Sequence, residues 1–566
     1  MSESTTYTPP SAPAGEGFLV DHISFASEEK FHCEAFAFEE SKIQSWPMVY
    51  ILTNDKEAYV GKTTSLATRL HQHERNASKR AFNTVHAILN YEFNVSAAES
   101  YERKLIQFMS ADGLYRLTNK NEGLYEYDYF AKPEYDEMFE QLWEELQREG
   151  LVYHSIKEIE ESEVFKYSPF KSLSLDQEQA LKKVIKEIRK GFANTEPLVI
   201  EGIPGTGKTV LAIYLLKALK DNPDYKDCNI KLLEPVTALR ETLRKSVKGV
   251  QNITGKDIIG PYDLLKPEYG FVGKGKKSFD ILLVDETHRL KQPLNLARQW
   301  GQYNNVNKVL GLEPGSTQLD WIISQAKLPV FFYDRLQTVL PADINRETLE
   351  QRLGKALSNP IRLGSQMRVK GGSEYLDYVL NILDGKKQQP RTFGEYEFVL
   401  HESFASFNDS FNQTLAKHDL TRMLAGYAWE WKTHNDPDPD HFDIEIEGIR
   451  KRWNWQNANW VGLGTSNPTR AQEVGCIHSI QGYDLSYAYV IIGDDLKFDA
   501  EQQKPYVDIA NYYDRNGKQG ASEKEIAEYV RNIYYVLLTR GIHGTHVYIC
   551  DPGLRYYFSN FFAKGR

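Results

Sequence analysis

The chain has 566 residues, of which 41% are hydrophobic and 26% charged, and a formal charge of −10. These proportions are typical of folded soluble proteins and exclude a largely disordered or collagen-like chain. No segment approaches the roughly 20 apolar residues that span a bilayer, and the first residues lack a signal-peptide pattern. The four cysteines show no CxxC spacing, which argues against a disulfide framework or a thiolate zinc site. We expect a soluble, cytoplasmic protein of about two to four domains with no membrane partner.

A hairpin and two helices are the first elements predicted after the N-terminal extension, residues 1–44. The apolar strands WPMVYILTN and EAYVG flank a turn signal and predict the hairpin. The following segment, TTSLATRLHQHERNASKRAF, predicts a helix with Arg69 and His73 on one strip. A second amphipathic helix, AAESYERKLIQFM, carries Glu102, and Asn119 lies beyond it. These polar side chains can meet the strand tyrosines at one centre.

This segment, residues 45–123, resembles the GIY-YIG endonuclease family. MVY (48–50) stands in the first triad of that family and YVG (59–61) in the second. Met48 replaces the glycine of the first triad, whereas Gly61 keeps the glycine of the second. The resemblance implies a small α+β nuclease domain.

The same resemblance implies roles for the polar residues. Tyr50 or Tyr59 would position or deprotonate the attacking water, and Glu102 would bind one divalent metal ion. Arg69 and Lys62 would neutralise the charge that builds on the phosphate. Phosphodiester cleavage needs a nucleophile, a cation and a Lewis acid, and this set supplies all three. The catalytic residues implied here are Tyr50, Tyr59, Lys62, Arg69, His73 and Glu102.

An acidic linker is predicted at residues 124–167. Between Leu124 and Phe165 there are 13 acidic residues and 3 basic ones, so the rest of the chain is electrically balanced. Apolar residues at helical spacing in FEQLWEELQRE predict a solvated helix that connects two domains. The alternative is an acidic flap that competes with DNA for a basic groove.

A nucleotide-binding element follows in PLVIEGIPGTGKTVLAIYLLKAL. It is a strand, a glycine-rich turn and a helix that carry the G-x-x-x-x-G-K-T pattern of a P-loop at 202–209. The backbone of such a loop wraps phosphates, Lys208 reaches the β/γ oxygens and Thr209 ligates magnesium. Downstream, FDILLVDETHRL ends a strand in Asp285, which suits the magnesium shell, and Glu286, which suits polarisation of water. The sequence therefore predicts ATP hydrolysis with Mg²⁺.

Further segments resemble the motifs of superfamily 1 helicases. LSLDQEQA resembles the adenine-reading Q motif, with Gln179 as the first choice and Gln177 as the alternative. PVFFYDRLQTV places Asp334 and Gln337 at the sensor position of motif III. SQMRVKGGSEYL offers Arg368 as a γ-phosphate arginine in motif IV.

The last two motifs are CIHSIQGYDLSYAYVIIG and YYVLLTRGIHGTHVYICD, which match motifs V and VI through His478, Gln481, Gly482 and Arg540. Together, residues 197–551 look like the Schlafen-type helicase domain of superfamily 1. The resemblance implies two RecA-like parallel-sheet lobes, at 168–345 and 346–566, within an α/β fold. The nucleotide-binding residues implied are Gln179, Gly202, Gly205, Gly207, Lys208, Thr209, Asp285, Gln337, Gln481 and Gly482, and the residues implied in hydrolysis are Glu286, Arg368 and Arg540.

The tryptophan cluster KRWNWQNANW has two interpretations. Tryptophan rings beside Arg452 are a candidate track for stacked bases, and a buried hairpin is the alternative.

The leading functional hypothesis is an ATP-driven single-strand translocase or helicase fused to a metal-dependent endonuclease that cleaves single-stranded or forked DNA. Bacterial defence against phage or foreign DNA is the role that such fusions suggest, with repair as the competitor. The alternative is an ATP-gated sensor or binding protein, or an RNA-targeting effector, whose nuclease module serves mainly recognition.

Overall fold

The chain divides into two compact units. The first consists of Met1–Leu175, Ile213–Lys226 and Thr242–Asp257, and the second of Asp176–Ala212, Asp227–Glu241 and Ile258–Arg566. The computed structural model describes residues 18–24, 40–76, 79–119, 128–162, 165, 167–170, 173–191, 196–248, 250–364, 366, 369–433, 438, 441–454, 460–461, 464, 467–480, 483 and 485–562. Over these ranges, no helix is both long and apolar enough to cross a membrane.

The first unit is built on a five-stranded sheet. Its strands are β1 (Leu19–Ser24), β2 (Met48–Thr53), β3 (Glu57–Thr63), β4 (Thr84–Leu89) and β5 (Arg116–Leu117). The order across the sheet is β1-β4-β2-β3-β5, and the predicted hairpin is the antiparallel pair of β2 and β3. Strand β2 is buried along its whole length, which explains why it reads as a continuous apolar run. Strand β1 lies in the predicted N-terminal extension and pairs with β4.

Five α-helices accompany this sheet among the residues that the structure describes. They are α1 (Glu40–Ser45), α2 (Leu66–Glu74), α3 (Val95–Asp112), α4 (Lys132–Arg148) and α5 (Ile156–Glu161). The acidic helix α4 packs on α3, because the ring of Phe139 lies 5.3 Å from that of Tyr101 and the ring of Trp143 lies 5.6 Å from that of Phe108. Glu134, Glu137, Glu140 and Glu144 are exposed, whereas Asp136 pairs with Lys104 of α3 at 2.8 Å. The helix is therefore one layer of this unit rather than the solvated connector that its charge predicts.

The second unit begins with a six-stranded parallel sheet. Its strands are β6 (Leu198–Gly202), β7 (Ile230–Leu233), β8 (Ile258–Ile259), β9 (Phe279–Val284), β10 (Ala326–Tyr333) and β11 (Ile361–Leu363). The order is β11-β6-β10-β9-β7-β8. Because all strands are parallel, their carboxyl ends share one edge of the sheet, where functional loops gather. Strand β11 pairs with β6, so this sheet extends beyond residue 345, where the sequence places the end of the first lobe.

A second parallel sheet forms the other lobe. The strands of this part of the chain are β12 (Glu397–Leu400), β13 (Thr421–Ala425), β14 (Ile444–Ile446), β15 (Ile449–Lys451), β16 (Val474–Gly475), β17 (Leu485–Ile492), β18 (Leu496–Asp499), β19 (Lys504–Val507) and β20 (Gly541–Ile549). The order in the sheet is β12-β20-β17-β13-β16, and two small hairpins, β14–β15 and β18–β19, lie outside it. A small α+β domain followed by two parallel-sheet lobes confirms the predicted fold class.

The remaining α-helices lie between and after these strands along the chain. They are α6 (Leu175–Ile188), α7 (Lys208–Asp221), α8 (Thr237–Ser246), α9 (Trp300–Leu310), α10 (Gln318–Gln325), α11 (Arg346–Ser358), α12 (Gly372–Leu383), α13 (Phe404–Leu415), α14 (Pro468–Ala471), α15 (Ile477–Ile480), α16 (Arg515–Lys518), α17 (Glu523–Leu538) and α18 (Pro552–Ser559).

The tryptophan cluster belongs to the core. Trp453 and Trp460 are each 1% exposed and lie in two hydrophobic clusters of the second lobe. Neither ring can stack on a nucleobase, so the base-stacking track is wrong for these two residues and the buried alternative is correct. Trp455 lies outside the residues that the structure describes.

Candidate active sites

The predicted nuclease centre of the first unit brings together residues from β2, β3 and α2. The Tyr50 hydroxyl lies 2.7 Å from Nε2 of His73, and Nε of Arg69 donates to the same hydroxyl at 3.2 Å. The ring of Tyr59 lies 6.4 Å from that of Tyr50 and 5.6 Å from that of His73. Four of the predicted residues therefore share one cluster.

Gly61 is required by the close approach of Tyr50. The two residues face each other in the register of β2 and β3. A Cβ atom on Gly61 would lie 2.3 Å from the Tyr50 hydroxyl oxygen, far inside van der Waals contact. Asn119 has a different place, because its side-chain amide accepts from the backbone N–H of Val60 at 3.0 Å and donates to the carbonyl of Val60 at 2.8 Å. These two bonds hold the backbone of the second triad (59–61), and Asn119 is not one of the residues that contact the Tyr50 hydroxyl.

Charge and burial set the protonation states in this cluster. Burial, then the positive charge of Arg69, lowers the pKa of His73 to about 4, so this imidazole is neutral at pH 7. Burial also raises the pKa of Tyr50 and of Tyr59. Because Tyr50 stays protonated, its hydroxyl accepts from Nε of Arg69 and can donate to Nε2 of His73 in the tautomer that carries its proton on Nδ1.

Glu102 projects from α3 beside a lysine. The Nζ atom of Lys62 lies 3.9 Å from the Glu102 carboxylate and 2.9 Å from that of Glu99. Burial raises the pKa of Glu102, and the charge of Lys62 opposes that shift. Glu99, which the sequence analysis missed, lies three residues before Glu102 on the same helix, and that spacing was the available signal.

Glu102 is suited to be one ligand of a metal ion that substrate phosphates also bind. Among the described residues there is no group of three or more His, Cys, Asp or Glu side chains that could hold a metal ion. Mg²⁺ is commonly held by one or two carboxylates together with substrate phosphates and water. A single carboxylate beside Lys62 and Arg69 is compatible with that arrangement.

The P-loop of the second unit connects β6 to α7. Gly205 and Gly207 have φ angles of 83° and 71°, a backbone conformation that glycine adopts without strain. The Nζ atom of Lys208 donates to the carbonyls of Gly202 at 2.7 Å and Ile203 at 3.1 Å. It also lies 3.0 Å from the Asp334 carboxylate.

The acidic pair at the end of β9 lies next to this loop. Burial raises the pKa of Asp285, and the facing hydroxyl of Thr209 opposes the shift. Over the described residues, neither carboxylate oxygen of Asp285 has a well-aligned hydrogen-bond donor. These buried oxygens beside a hydroxyl fit a magnesium shell. Glu286 has a left-handed φ of 43°, and burial together with the charge of Asp285 raises its pKa to about 7.

Two further predicted residues reach the same centre. Nε2 of Gln337 donates to the Asp334 carboxylate at 2.7 Å. Arg540, a buried residue of the second lobe, lies close enough that its charge lowers the pKa of Glu286. The predicted Arg368, Gln481 and Gly482 fall outside the described residues.

Of the two Q-motif candidates, Gln177 contacts the P-loop. Its Nε2 atom donates to the carbonyls of Thr206 at 2.9 Å and Gly207 at 3.4 Å, and the residue is 1% exposed. Gln179 is exposed on α6. Gln177, the alternative candidate, is therefore better placed than Gln179 to contact the P-loop.

Two residues near the nucleotide centre were missed. Glu234 follows β7, is fully buried, and has a pKa raised well above its usual range by burial and then by Asp285 and Glu286. An acid directly after an apolar strand was the signal for it. Nε2 of Gln366 donates to the carbonyl of Pro204 at 2.5 Å, and no local sequence pattern predicts that contact.

Residues 195–551 match the family described as Schlafen group 3, DNA/RNA helicase domain. Residues 47–109 match the GIY-YIG catalytic domain. The first match covers more than half of the sequence, and the chain belongs to the Schlafen group 3 helicase family. Both predicted resemblances are confirmed, and the enzyme joins a nucleic-acid helicase domain to a GIY-YIG endonuclease domain.

Relatives share this sequence at low identity. An uncharacterized protein of Saccharomyces cerevisiae is 22% identical over 420 residues, which are 68% of this chain and 90% of the relative. The Pif1 helicase from Candida albicans is 13% identical with a TM-score of 0.26, over 69% of this chain and 99% of that one. The Pif1 helicase from Bacteroides, solved with ADP-AlF3 and ssDNA, is 12% identical with a TM-score of 0.25, over 65% of this chain and 91% of that one. These neighbours share too little backbone geometry with the chain to indicate its ligands.

Proposed function

We propose that the protein is an ATP-dependent DNA helicase or translocase whose N-terminal domain cleaves DNA as a metal-dependent endonuclease. The observation that supports this proposal is that one chain holds two clusters of the polar side chains that the sequence predicts to be catalytic or nucleotide-binding. One is the tyrosine, histidine and arginine cluster around Tyr50, and the other surrounds Lys208 of the P-loop.

In the motor, each residue acts on a phosphate or on the attacking water. Mg²⁺ held by Thr209 and Asp285 would supply a Lewis acid for the phosphates. Lys208 binds the β/γ oxygens, and Glu286 orients and polarises the water. Arg540 comes from the other lobe and offsets charge that develops in the transition state, which couples hydrolysis to lobe closure.

In the nuclease, Tyr59 is the better placed tyrosine for the attacking water. It is partly exposed, whereas Tyr50 is fully buried and already engaged by His73 and Arg69. Arg69 and Lys62 neutralise charge on the scissile phosphate. A divalent metal ion held by Glu102 would supply the Lewis acid.

We further infer that single-stranded or forked DNA is the substrate and that the enzyme works in the cytoplasm in defence against phage or foreign DNA. This role rests on the fusion of a motor to a cutter, which confines cleavage to the place where the motor loads. DNA repair is the competing role.

The test is a cleavage and unwinding assay on labelled single-stranded, duplex and forked DNA and on matched RNA, in Mg²⁺, with and without ATP. We expect the parent protein to cut and unwind DNA. Glu102→Gln should lose cleavage and keep ATP hydrolysis, whereas Lys208→Ala should lose ATP hydrolysis. Glu140→Gln, an exposed acid on α4, is the matched control for the first variant. Tight binding without any product would overturn the proposal in favour of an ATP-gated binding protein.

A further inference from the structure

A buried lysine adjoins the nuclease centre and has no part in the roles assigned above. Lys79 lies in the turn after α2 and is 8% exposed. Its backbone N–H donates to the carbonyl of Asn76 at 2.9 Å, and its own carbonyl accepts from Phe82 at 3.3 Å. These two bonds hold the backbone of Lys79 itself in place.

The ammonium group of Lys79 lies on the face of a catalytic tyrosine. Its Nζ atom is 3.0 Å from the centroid of the Tyr59 ring and 5.6 Å from that of Phe82. Within the described part of the chain, no carboxylate lies within ion-pair distance of it. Burial of an ammonium without a carboxylate is costly, and the negative face of an aromatic ring offsets part of that cost.

Charged groups from both neighbouring elements act on this lysine. Arg69 and His73 face it from α2, and Glu57 faces it from β3. Burial, then the charge of Arg69, lowers the pKa of Lys79 to about 7, while Glu57 opposes the shift. A surface lysine would have neither this burial nor this position.

We propose that Lys79 is a positioning residue of the nuclease, which holds the ring of Tyr59 in its working orientation and stabilises negative charge on the Tyr59 oxygen. The inference rests on the proposed nuclease function and deepens it. Lys79 acts through Tyr59 because its charge lies over the ring, and its burial keeps it from serving as a general DNA-binding lysine. A methionine fills the same volume without charge, and an arginine restores the charge.

The first test measures kcat and KM for cleavage of labelled DNA. Lys79→Met should lower kcat about tenfold, which corresponds to about 1.4 kcal/mol, and leave KM unchanged. Lys79→Arg should recover most of the rate. In a Tyr59→Phe background, Lys79→Met should cost nothing more, because the oxygen through which it acts is gone. Lys56→Met, an exposed lysine before β3, is the matched control and should match the parent.

Two results would overturn the proposal. One is a parental rate in Lys79→Met. The other is an equal further loss from Lys79→Met in the Tyr59→Phe background, which would place the lysine on the substrate or in the fold instead. Thermal unfolding of each variant identifies a folding defect, and if Lys79→Met fails to fold, the recovery by Lys79→Arg decides the question.

A second test does not depend on cleavage. In protein labelled at lysine ¹³Cε, the signal assigned to Lys79 through Lys79→Arg should be shifted upfield by the Tyr59 ring. The shift should persist in Tyr59→Phe and vanish in Tyr59→Leu. Absence of the shift in the parent overturns the proposed contact. If the shift is present but the parent cuts no nucleic acid, the nuclease function and the catalytic role of Lys79 both fail while the contact stands.

Discussion

Lys208 of the P-loop is paired with Asp334 of the neighbouring strand end. Their charged atoms lie 3.0 Å apart, and both side chains are buried. The same carboxylate oxygen accepts from Gln337. A phosphate that binds Lys208 must compete with Asp334. A movement of the Asp334 carboxylate would also alter its hydrogen bond with Gln337. This shared oxygen connects Lys208 to Gln337, the residue that the sequence predicts as the sensor of motif III.

The first prediction follows from that competition. Asp334→Asn removes the negative partner of Lys208 and one negative charge near the phosphates, so a nonhydrolysable ATP analogue should bind about tenfold more tightly, within the worth of a charge-assisted hydrogen bond. Fluorescence titration measures the change. Asp409→Asn, at an exposed position of α13, should leave the affinity unchanged. Weaker binding in Asp334→Asn would show that the carboxylate supports the nucleotide instead.

The second prediction separates the two Q-motif glutamines. Gln177→Ala leaves the carbonyl of Thr206 without its side-chain donor, and a buried unpaired polar group costs about 1–3 kcal/mol. We expect KM for ATP to rise about tenfold, which is about 1.4 kcal/mol. Gln179→Ala is the matched control, because that side chain is exposed on the same helix. The opposite pattern would restore Gln179 as the functional residue.

These two glutamines also show what the sequence alone could not predict. The P-loop, the Asp285–Glu286 pair and the two tyrosine triads are contiguous motifs, so their chemistry could be predicted without knowledge of the tertiary fold. Gln177 and Gln179 lie two positions apart on one helix and therefore point to different sides. Which side faces the P-loop depends on how α6 packs, and no local pattern specifies that.

Long-range packing explains the other differences. The predicted connector α4 buries Phe139 and Trp143 on α3, and charge alone could not reveal that partner. Trp453 and Trp460 lie in a tryptophan-rich segment of the kind that can stack on bases, yet each is buried in a hydrophobic cluster of the second lobe. Lys79 meets Tyr59 across a turn and 20 positions of sequence, so only the tertiary structure places its charge over the ring.

The third prediction concerns Gly61. Gly61→Ala would place a methyl group in overlap with the Tyr50 hydroxyl, so the tyrosine or its strand must shift, which disturbs the bonds of Tyr50 to His73 and Arg69. Cleavage should fall at least about tenfold, which corresponds to about 1.4 kcal/mol. Gly301→Ala is the control, because nothing lies within 4 Å of its added Cβ. Normal cleavage in Gly61→Ala would mean that Tyr50 can move without loss of function.

The fourth prediction concerns the arginine from the second lobe. Arg540→Ala should lower kcat for ATP hydrolysis about 100-fold or more, since arginines that meet transition-state charge are worth large factors. Binding of a nonhydrolysable analogue should change little, because the ground state carries less of that charge. Arg450→Ala, at an exposed hairpin position, is the control. Loss of analogue binding with normal turnover at saturating ATP would contradict the two-lobe mechanism.

The last prediction concerns acid and the nuclease sheet. His86 on β4 is buried, with Nε2 at 2.7 Å from the Thr53 hydroxyl and Nδ1 at 2.6 Å from Nδ1 of His22. Burial, then the charge of His22, lowers the pKa of His86 to about 4, whereas an unfolded histidine titrates near about 6.5. The folded state therefore favours the neutral imidazole, so the stabilisation is complete above about pH 6.5 and is lost as the pH falls toward 4, by at most about 3 kcal/mol.

Hydrogen exchange of the amides in Thr84–Leu89 measures this loss for the sheet itself. In the parent protein, the free energy of opening should fall between pH 7 and pH 5. In His86→Gln it should fall less, because the group that takes up the proton on opening is gone. His71→Gln, an exposed histidine of α2, should follow the parent. An equal slope in parent and His86→Gln would mean that other groups, such as the buried His73, carry the acid sensitivity of this unit.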